Sequence, residues 1–373
     1  MRVTHISLRD FRCYTRAEVE LGERLTIVHG RNGAGKTNLL EGLYLGCTGR
    51  SCRTTNEREL VRFGEPVARV DLRAEGEDGP HQLSVGLEPG AAKRVRADGV
   101  AVERLTGDAT RPLAGVFLPD RLELVKGAPS VRRAHLDQVV AALWPARTTA
   151  RRAYARALAQ RNALLSRVRT GAAPREALAA WDRALACPGI ERMGDRAAAV
   201  DALVPHFEAL AAELGLGGSP SLAYRPRSRA TTPEELEAEL RERLDSDLER
   251  GFSAHGPHRD DLALRRDGRE LRAYGSQGQQ RLALLALLLA ERAAIAQTRG
   301  APPLMLLDDV MSELDADRRE RLVALLAEDG QSLITTTDLA HVPVPAGVPV
   351  TRILVADGAV LGAVPVAAEE AAA

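Results

Sequence analysis

A mixed α/β fold interrupted by a helical insertion is predicted by three features of this 373-residue sequence. A strand-like run, Leu25 to Val28, passes through a glycine-rich loop into an apolar-faced helix at Thr37 to Leu45. From about Val131 to Gly251 the texture is that of Ala/Leu/Arg/Glu-rich helices. A second apolar run, Pro303 to Leu307, then ends in two carboxylates, Asp308 and Asp309. Strand and helix signals at both ends, with helices between, describe one α/β unit split by an insertion.

The first stretch, 1–125, opens with the strand-like Val3 to Leu8. Short alternating segments follow at Val67–Leu72, His81–Leu87 and Lys93–Arg96, which predict an antiparallel layer. The insertion, 126–251, has breaks at Gly171–Pro174 and from Gly215 to Pro226. Thr232-Pro233-Glu234-Glu235 reads as a helix start, with an N-cap, a proline at the first helical position and a capping-box glutamate. The stretch 252–366 returns to strands and helices, and the Ala-rich end, 367–373, is expected to be disordered.

Composition excludes several classes. At 45% hydrophobic the chain can bury a sizeable core, and with 3% aromatic residues Leu, Ala and Val must fill it. Basic and acidic residues balance at 51 each, so the chain is no histone-like binder, although a local basic patch is compatible with that balance. No signal peptide is visible after Met1, and the longest apolar run, Leu282 to Ala290, is too short to cross a bilayer. Cys13, Cys47, Cys52 and Cys187 lack metal-ligand spacing and read as reduced thiols, so a cytoplasmic location is expected. Lysine occurs only at 36, 93 and 126; the arginine bias reads as genome composition, but it makes each lysine informative.

Gly30-Arg31-Asn32-Gly33-Ala34-Gly35-Lys36-Thr37 matches G-x-x-x-x-G-K-[ST] between a strand and a helix, followed by Asn38. Backbone N–H groups of such a loop turn inward around phosphate, and the helix N-terminus adds partial positive charge. Lys36 is placed to reach the β- and γ-phosphates of ATP, and Thr37 to ligate Mg²⁺. A chance match is on the order of one in several hundred such chains. A glycine-rich turn serving structure alone needs no lysine. The buried strand ending at Asp308 brings the first carboxylate to the metal, and Asp309 falls where a general base or water-orienting group is needed. Asp309 is one methylene shorter than a glutamate would be at that position. Solvated acids at a strand end are common singly, less so as a pair in a chain with a P-loop.

Ser276-Gln277-Gly278-Gln279-Gln280 precedes the apolar helix Leu282–Ala290 and forms a second anion-binding arrangement. One P-loop already surrounds one side of a nucleotide, so Ser276, Gly278 and Gln279 are most useful capping the γ-phosphate held by a facing subunit. Ser312-Glu313-Leu314-Asp315 follows the acidic strand at the position of an interface-crossing D-loop. Ile334 to Asp338 is a strand end where Thr337 could sense the γ-phosphate. Together these predict an ABC/SMC-type P-loop ATPase head, lobe I, with the helical insertion as lobe II, completed by dimerisation.

At this level the sequence resembles the RecF family of recombination-repair ATPases. The resemblance runs through nearly the whole chain: Leu8 to Tyr14, Gly33 to Glu41, Gly49 to Thr54, Leu124 to Ser130, Arg132-Arg133, Leu136-Asp137, Gly256 to Leu262 and Ser276 to Arg281. It implies ATP-dependent homodimerisation on DNA at single-strand/duplex junctions, and cooperation with RecO and RecR to load RecA at gaps. It also implies roles in replication restart and the SOS response. Slow, DNA-dependent ATP hydrolysis would act as a switch, without nuclease or helicase activity. Cys13 stands where the family usually has Asn, Cys52 where His or Phe is common, and Pro119-Asp120-Arg121-Leu122 replaces Pro-Glu-Asp-Leu. No glutamine near Phe117 fills an ABC-type Q-loop.

Between Asp137 and Glu176 there are eight arginines (147, 151, 152, 156, 161, 167, 169 and 175) and no acid. Phosphate binding would use such a patch. Pairing with the acidic stretch Glu234–Glu249 is the competing reading and is favoured, because the arginines spread over several helix faces. Arg225, Arg227 and Arg229 are a second candidate, and His258 and Arg259 read as core or interface residues. Two rival functions remain. A P-loop kinase or other small-molecule phosphotransferase leaves Ser276–Gln280 and Ser312–Asp315 without a role. A long-armed structural SMC head needs several hundred heptad residues, against an insertion of about 120 here.

Overall fold

Alternation of apolar residues in the N-terminal stretch produces strands that bury one face. In the computed structural model, which describes residues 1–103, 105 and 111–366, they form an antiparallel sheet. Its order is Tyr14–Glu20, Arg2–Phe11, Ala68–Gly76, Gly79–Leu87, Arg94–Ala97, Val100–Ala101. The continuously apolar runs form a second sheet whose central parallel strands are buried, as such strands require, while its antiparallel edge strand Ala359–Val366 is largely exposed. Its order is Ala359–Val366, Val350–Ala356, Leu25–His29, Ser332–Thr336, Leu304–Asp308, Ala114–Phe117, all parallel except the first pair.

The helix Lys36–Thr48 shares one core with both sheets: Leu39, Leu40 and Leu43 join Leu8 and Leu72 of the first and Val28, Leu306 and Leu333 of the second. Two glycines permit that approach. A methyl group on Gly42 would lie 2.8 Å from the Leu8 side chain, and one on Gly46 2.5 Å from that of Leu72. The buried Gln331 side chain ties the sheets polarly, accepting from Val3 N and donating to Val3 O and Gly22 O.

The chain divides into two compact units, 1–121 with 213–215 and 292–373, and 122–212 with 216–291. The second contains the helices Pro129–Leu143, Thr148–Arg169, Leu178–Glu213 (its last residue excepted), Pro233–Glu242 and Leu244–Arg250. Thr232 caps Pro233–Glu242 through the full reciprocal capping box. Leu178–Glu213 runs through Pro188 and Pro205 without ending.

This division differs from a head that resumes at residue 252: residues 252–291 belong with the helical unit. The cause is long-range pairing. Asp261–Arg266 pairs antiparallel with Pro220–Arg225, a strand inside the stretch that reads as a break. Arg132 grips Asp261 at 2.7 and 3.0 Å, and Arg196 reaches Asp260 at 3.1 Å. The tail at 367–373 lies outside the described residues.

Candidate nucleotide site

The strand Leu25–His29 delivers the chain to Gly30, where the P-loop begins. Gly30, Gly33 and Gly35 have φ of 155°, 79° and 119°, conformations that side chains disfavour. A Cβ at Gly30 would stand 2.1 Å from the Val355 carbonyl oxygen. One at Gly35 would stand 2.9 Å from both Cys13 Sγ and Tyr14 Oη. Tyr14, itself buried, donates to Gly35 O at 3.0 Å and fixes the end of the loop. Gly33, by contrast, faces open space. No side chain caps the helix Lys36–Thr48, so its N-terminal N–H groups remain available to an anion.

Lys36 is buried, and its ammonium donates to Gly30 O at 2.8 Å and Arg31 O at 3.0 Å. Burial lowers its pKa, while the charges of Asp309 and Asp308 act in the opposite direction. The Thr37 hydroxyl lies 2.9 Å from each carboxylate oxygen of Asp308, and Thr335 Oγ1 donates to Asp308 Oδ1 at 2.7 Å. Asp309 has φ 46°, in the left-handed region. Its N–H donates to Thr335 Oγ1 at 3.0 Å, and its Oδ2 accepts from Ser312 Oγ at 3.0 Å. Its Oδ1 is buried without a partner. The Asp308 carboxylate and the Thr37 hydroxyl form a hard-oxygen donor pair that fits Mg²⁺ and its waters, and the orphaned Asp309 oxygen is left for a water.

Asn38 bridges two further segments, donating to Cys13 Sγ at 3.1 Å and accepting from Arg53 Nη1 at 3.1 Å. Three residues further along the helix, the same elements meet at the buried Glu41. It takes a two-pronged bond from Arg12 (2.8 and 2.9 Å), one from Ser51 (2.5 Å) and one from Arg53 (3.3 Å). The sequence displayed these residues as separate motif stretches. Their common purpose, a charged clamp on the P-loop helix, required the fold.

Ser276 is exposed and starts the helix Gln277–Arg299. Ser276 N donates to Gln279 Oε1 at 2.9 Å and Gln279 N to Ser276 Oγ at 3.3 Å, a reciprocal cap. Gly278 is exposed with nothing within 4 Å of its missing Cβ. Ser276, Gly278 and Gln279 belong to the second unit, and the P-loop and Asp308 to the first. Asp315 is the N-cap of Ala316–Glu328, accepting from Arg318 N at 3.0 Å. That Asp-x-x-Arg cap was present in the sequence as a local signal. Thr337 lies exposed just past the strand Ser332–Thr336; the hydroxyl that touches both acids belongs to Thr335.

Four of the eight arginines, 147, 151, 161 and 175, form ion pairs. Arg161 is fully buried between Asp182 (2.6 Å) and Asp247 (2.7 Å), Arg175 meets Asp245 at 2.7 Å, and Arg147 meets Asp195 at 3.4 Å. Arg225 pairs with Glu270 at 2.6 Å. His258 accepts or donates at Nδ1 with Tyr154 Oη and at Nε2 with Ser253 O, both 2.8 Å, and Arg259 covers the Phe252 ring. Among the described residues no helix is long and apolar enough to cross a membrane.

A family model described as an AAA domain matches residues 5–103. The DNA replication and repair protein RecF of Anaeromyxobacter sp. (strain Fw109-5) is 38% identical over 357 residues, spanning 93% of this chain and 95% of that protein. RecF of Heliobacterium modesticaldum is 36% identical over 91% of this chain and 93% of its own length. A solved structure of the recombination mediator RecF with ATP superposes with a TM-score of 0.86 at 27% identity, covering 98% of each chain. An SMC head bound to the C-winged helix domain of ScpA matches at a TM-score of 0.58 and 16% identity, a likeness of fold. The architecture is therefore that of an ABC/SMC-type ATPase head, and the chain belongs to the RecF family of DNA replication and repair proteins.

Proposed function

We propose that this chain is an ATP-switched clamp that dimerises on DNA during recombinational repair. The observation carrying the proposal is the Thr37–Asp308 contact at 2.9 Å beside an uncapped P-loop helix, in a chain that also carries an exposed Ser276 loop. Lys36 holds the β- and γ-phosphates, the N–H groups from Gly33 to Asn38 line the phosphate chain, and Thr37 and Asp308 hold the metal. Mg²⁺ held by Thr37 and Asp308 would supply charge neutralisation at the phosphates. Asp309, held by Thr335 and Ser312, orients the attacking water with its free oxygen.

Ser276, Gly278 and Gln279 cap the γ-phosphate of a second copy, with Asp315 and Thr337 at the same junction. A site completed only across a dimer links nucleotide state to assembly, and slow hydrolysis releases the clamp. The first unit acts as lobe I and the helical unit as lobe II. The RecF structures with ATP and ATPγS-type nucleotide, at 27–28% identity, support the nucleotide reading. Family membership supports action at single-strand/duplex junctions with RecO and RecR, RecA loading, replication restart and SOS induction, in the cytoplasm.

The test is sedimentation of the chain with and without ATP and Mg²⁺, alone and with gapped or plain duplex DNA. The expected result is a monomer without nucleotide and a dimer with ATP, retained best on gapped DNA. A monomer under every condition would overturn the clamp reading in favour of a P-loop phosphotransferase.

A further inference from the structure

The helical unit contains a polar pocket that the nucleotide chemistry does not use. It measures about 20 Å³ and is lined chiefly by Arg147, Arg151, Arg192, Arg196, Asp137 and Asp195. That volume is close to the space of one water-sized oxygen. Arg196 is fully buried and Arg192 partly buried, whereas Arg147 and Arg151 have side chains 45% and 51% exposed, so the arginines run from wall to mouth.

The charges within it do not balance. Asp137 receives Arg192 at 2.8 Å, Arg196 at 2.9 Å and Arg151 at 3.6 Å, while Asp195 receives Arg147 at 3.4 Å. Four guanidinium groups therefore face two carboxylates. Adding Asp260, 3.1 Å from Arg196, still leaves one positive charge in excess. Two donors also lack acceptors: Arg192 Nε and Arg196 Nη2 are buried without a hydrogen-bond partner. A buried cationic donor left unpaired is costly, and both donors belong to arginines that line this small pocket, so its positive charge is under-compensated.

We propose that this pocket is a subsite for a phosphate-type oxyanion, independent of the nucleotide reading. One oxygen enters the pocket to meet Arg192 and Arg196, and Arg147 and Arg151 at the mouth take the remaining oxygens. Arginine suits this task because its planar fork matches the spacing of phosphate oxygens. The phosphate comes either free from solution or as one unit of a nucleic-acid backbone, and the chemistry of the pocket is the same for both.

The experiment uses the full chain and the substitutions Arg147→Gln and Arg151→Gln, which leave the buried arginines in place. Arg151→Lys tests the guanidinium geometry. Arg152→Gln controls for loss of charge on the same helix, since that exposed residue does not line the pocket. Inorganic phosphate is titrated at constant ionic strength in a Lys36→Ala background, with melting temperature as readout, so that the P-loop does not compete. Separately, duplex-DNA affinity is measured across a salt series.

A free-anion site predicts about tenfold weaker phosphate stabilisation in Arg147→Gln and Arg151→Gln, with the DNA salt dependence unchanged. A backbone-phosphate site predicts that the slope of log affinity against log salt falls by about 0.9 in these variants, while Arg152→Gln keeps the parent slope. If both readouts match the parent, or if Arg152→Gln produces the same losses, the subsite does not exist. Circular dichroism and urea midpoints matching the parent confirm that each variant is folded.

Discussion

The Thr37 hydroxyl donates to both carboxylate oxygens of Asp308 at 2.9 Å, joining residues 271 positions apart in sequence. Parallel pairing of Leu304–Asp308 with Ser332–Thr336, and of Ser332–Thr336 with Leu25–His29, brings the ends of those strands into line. The P-loop leaves one strand end and the acidic pair leaves another. Thr335, on the strand between them, locks Asp308 and the Asp309 backbone together.

Asp308→Asn keeps the side-chain shape and an acceptor for Thr37 but removes the charge that would hold the cation. ATP turnover is expected to fall by about 100-fold or more. Metal-free nucleotide binding should stay within about twofold, since the P-loop is intact. Steady-state turnover and fluorescent-nucleotide titration with and without Mg²⁺ measure the two effects; parent-like turnover would remove Asp308 from the site.

Ser276→Arg places a long cation on an exposed loop. Losing the reciprocal cap costs about 1 kcal/mol of helix stability, which leaves the fold and monomer nucleotide affinity near parent values. ATP-driven dimerisation should disappear in sedimentation. A variant that still dimerises with ATP would show that this loop does not seal the site.

Gly30→Ala should damage the loop more than Gly33→Ala, although both glycines have positive φ. The methyl group at position 30 would meet backbone, the Val355 oxygen at 2.1 Å, whereas position 33 faces open space. The expected cost is about 2–4 kcal/mol at 30 and about 1 kcal/mol at 33. Equal urea midpoints for the two variants would contradict this packing.

His258 provides the pH prediction. Burial pushes its pKa down to about 4, and the nearby Arg259, Arg192 and Arg133 act in the same direction. A neutral ring can accept the Tyr154 hydroxyl at Nδ1 while donating from Nε2 to Ser253 O. The unfolded chain binds this proton near pH 6.5, so His258 contributes its full stability above that pH. The contribution is lost as pH falls from 6.5 toward 4, by about 3 kcal/mol in total. Urea midpoints of the parent should drop between pH 7 and 5, and His258→Gln should flatten that slope. An unchanged slope would remove His258 as its source.

Much of the site was legible because its signals are local. The P-loop, the acidic strand end and the Thr232 capping box each depend on residues within a turn or two of one another. The Asp315 cap on Ala316–Glu328 is equally local, its carboxylate accepting from Arg318 N. The strand Pro220–Arg225 was hidden among turn residues because its stability comes from Asp261–Arg266, far along the chain. Likewise, Pro188 and Pro205 should end a helix by local rules, yet packing along Leu178–Glu213 overrides them.

By itself the sequence determined what backbone geometry and short spacing can specify: a glycine-rich turn between a strand and a helix, a lysine and threonine at its end, and a buried strand that finishes in carboxylates. Tertiary structure decided what depends on desolvation and on partners distant in the chain. It made Arg161 a buried ion-pair residue between Asp182 and Asp247, gathered Arg12, Ser51 and Arg53 around Glu41, and left two donors on Arg192 and Arg196 unanswered. An arginine reads the same in sequence whether exposed or buried. Only the fold sets the dielectric around it and the acceptors within its reach.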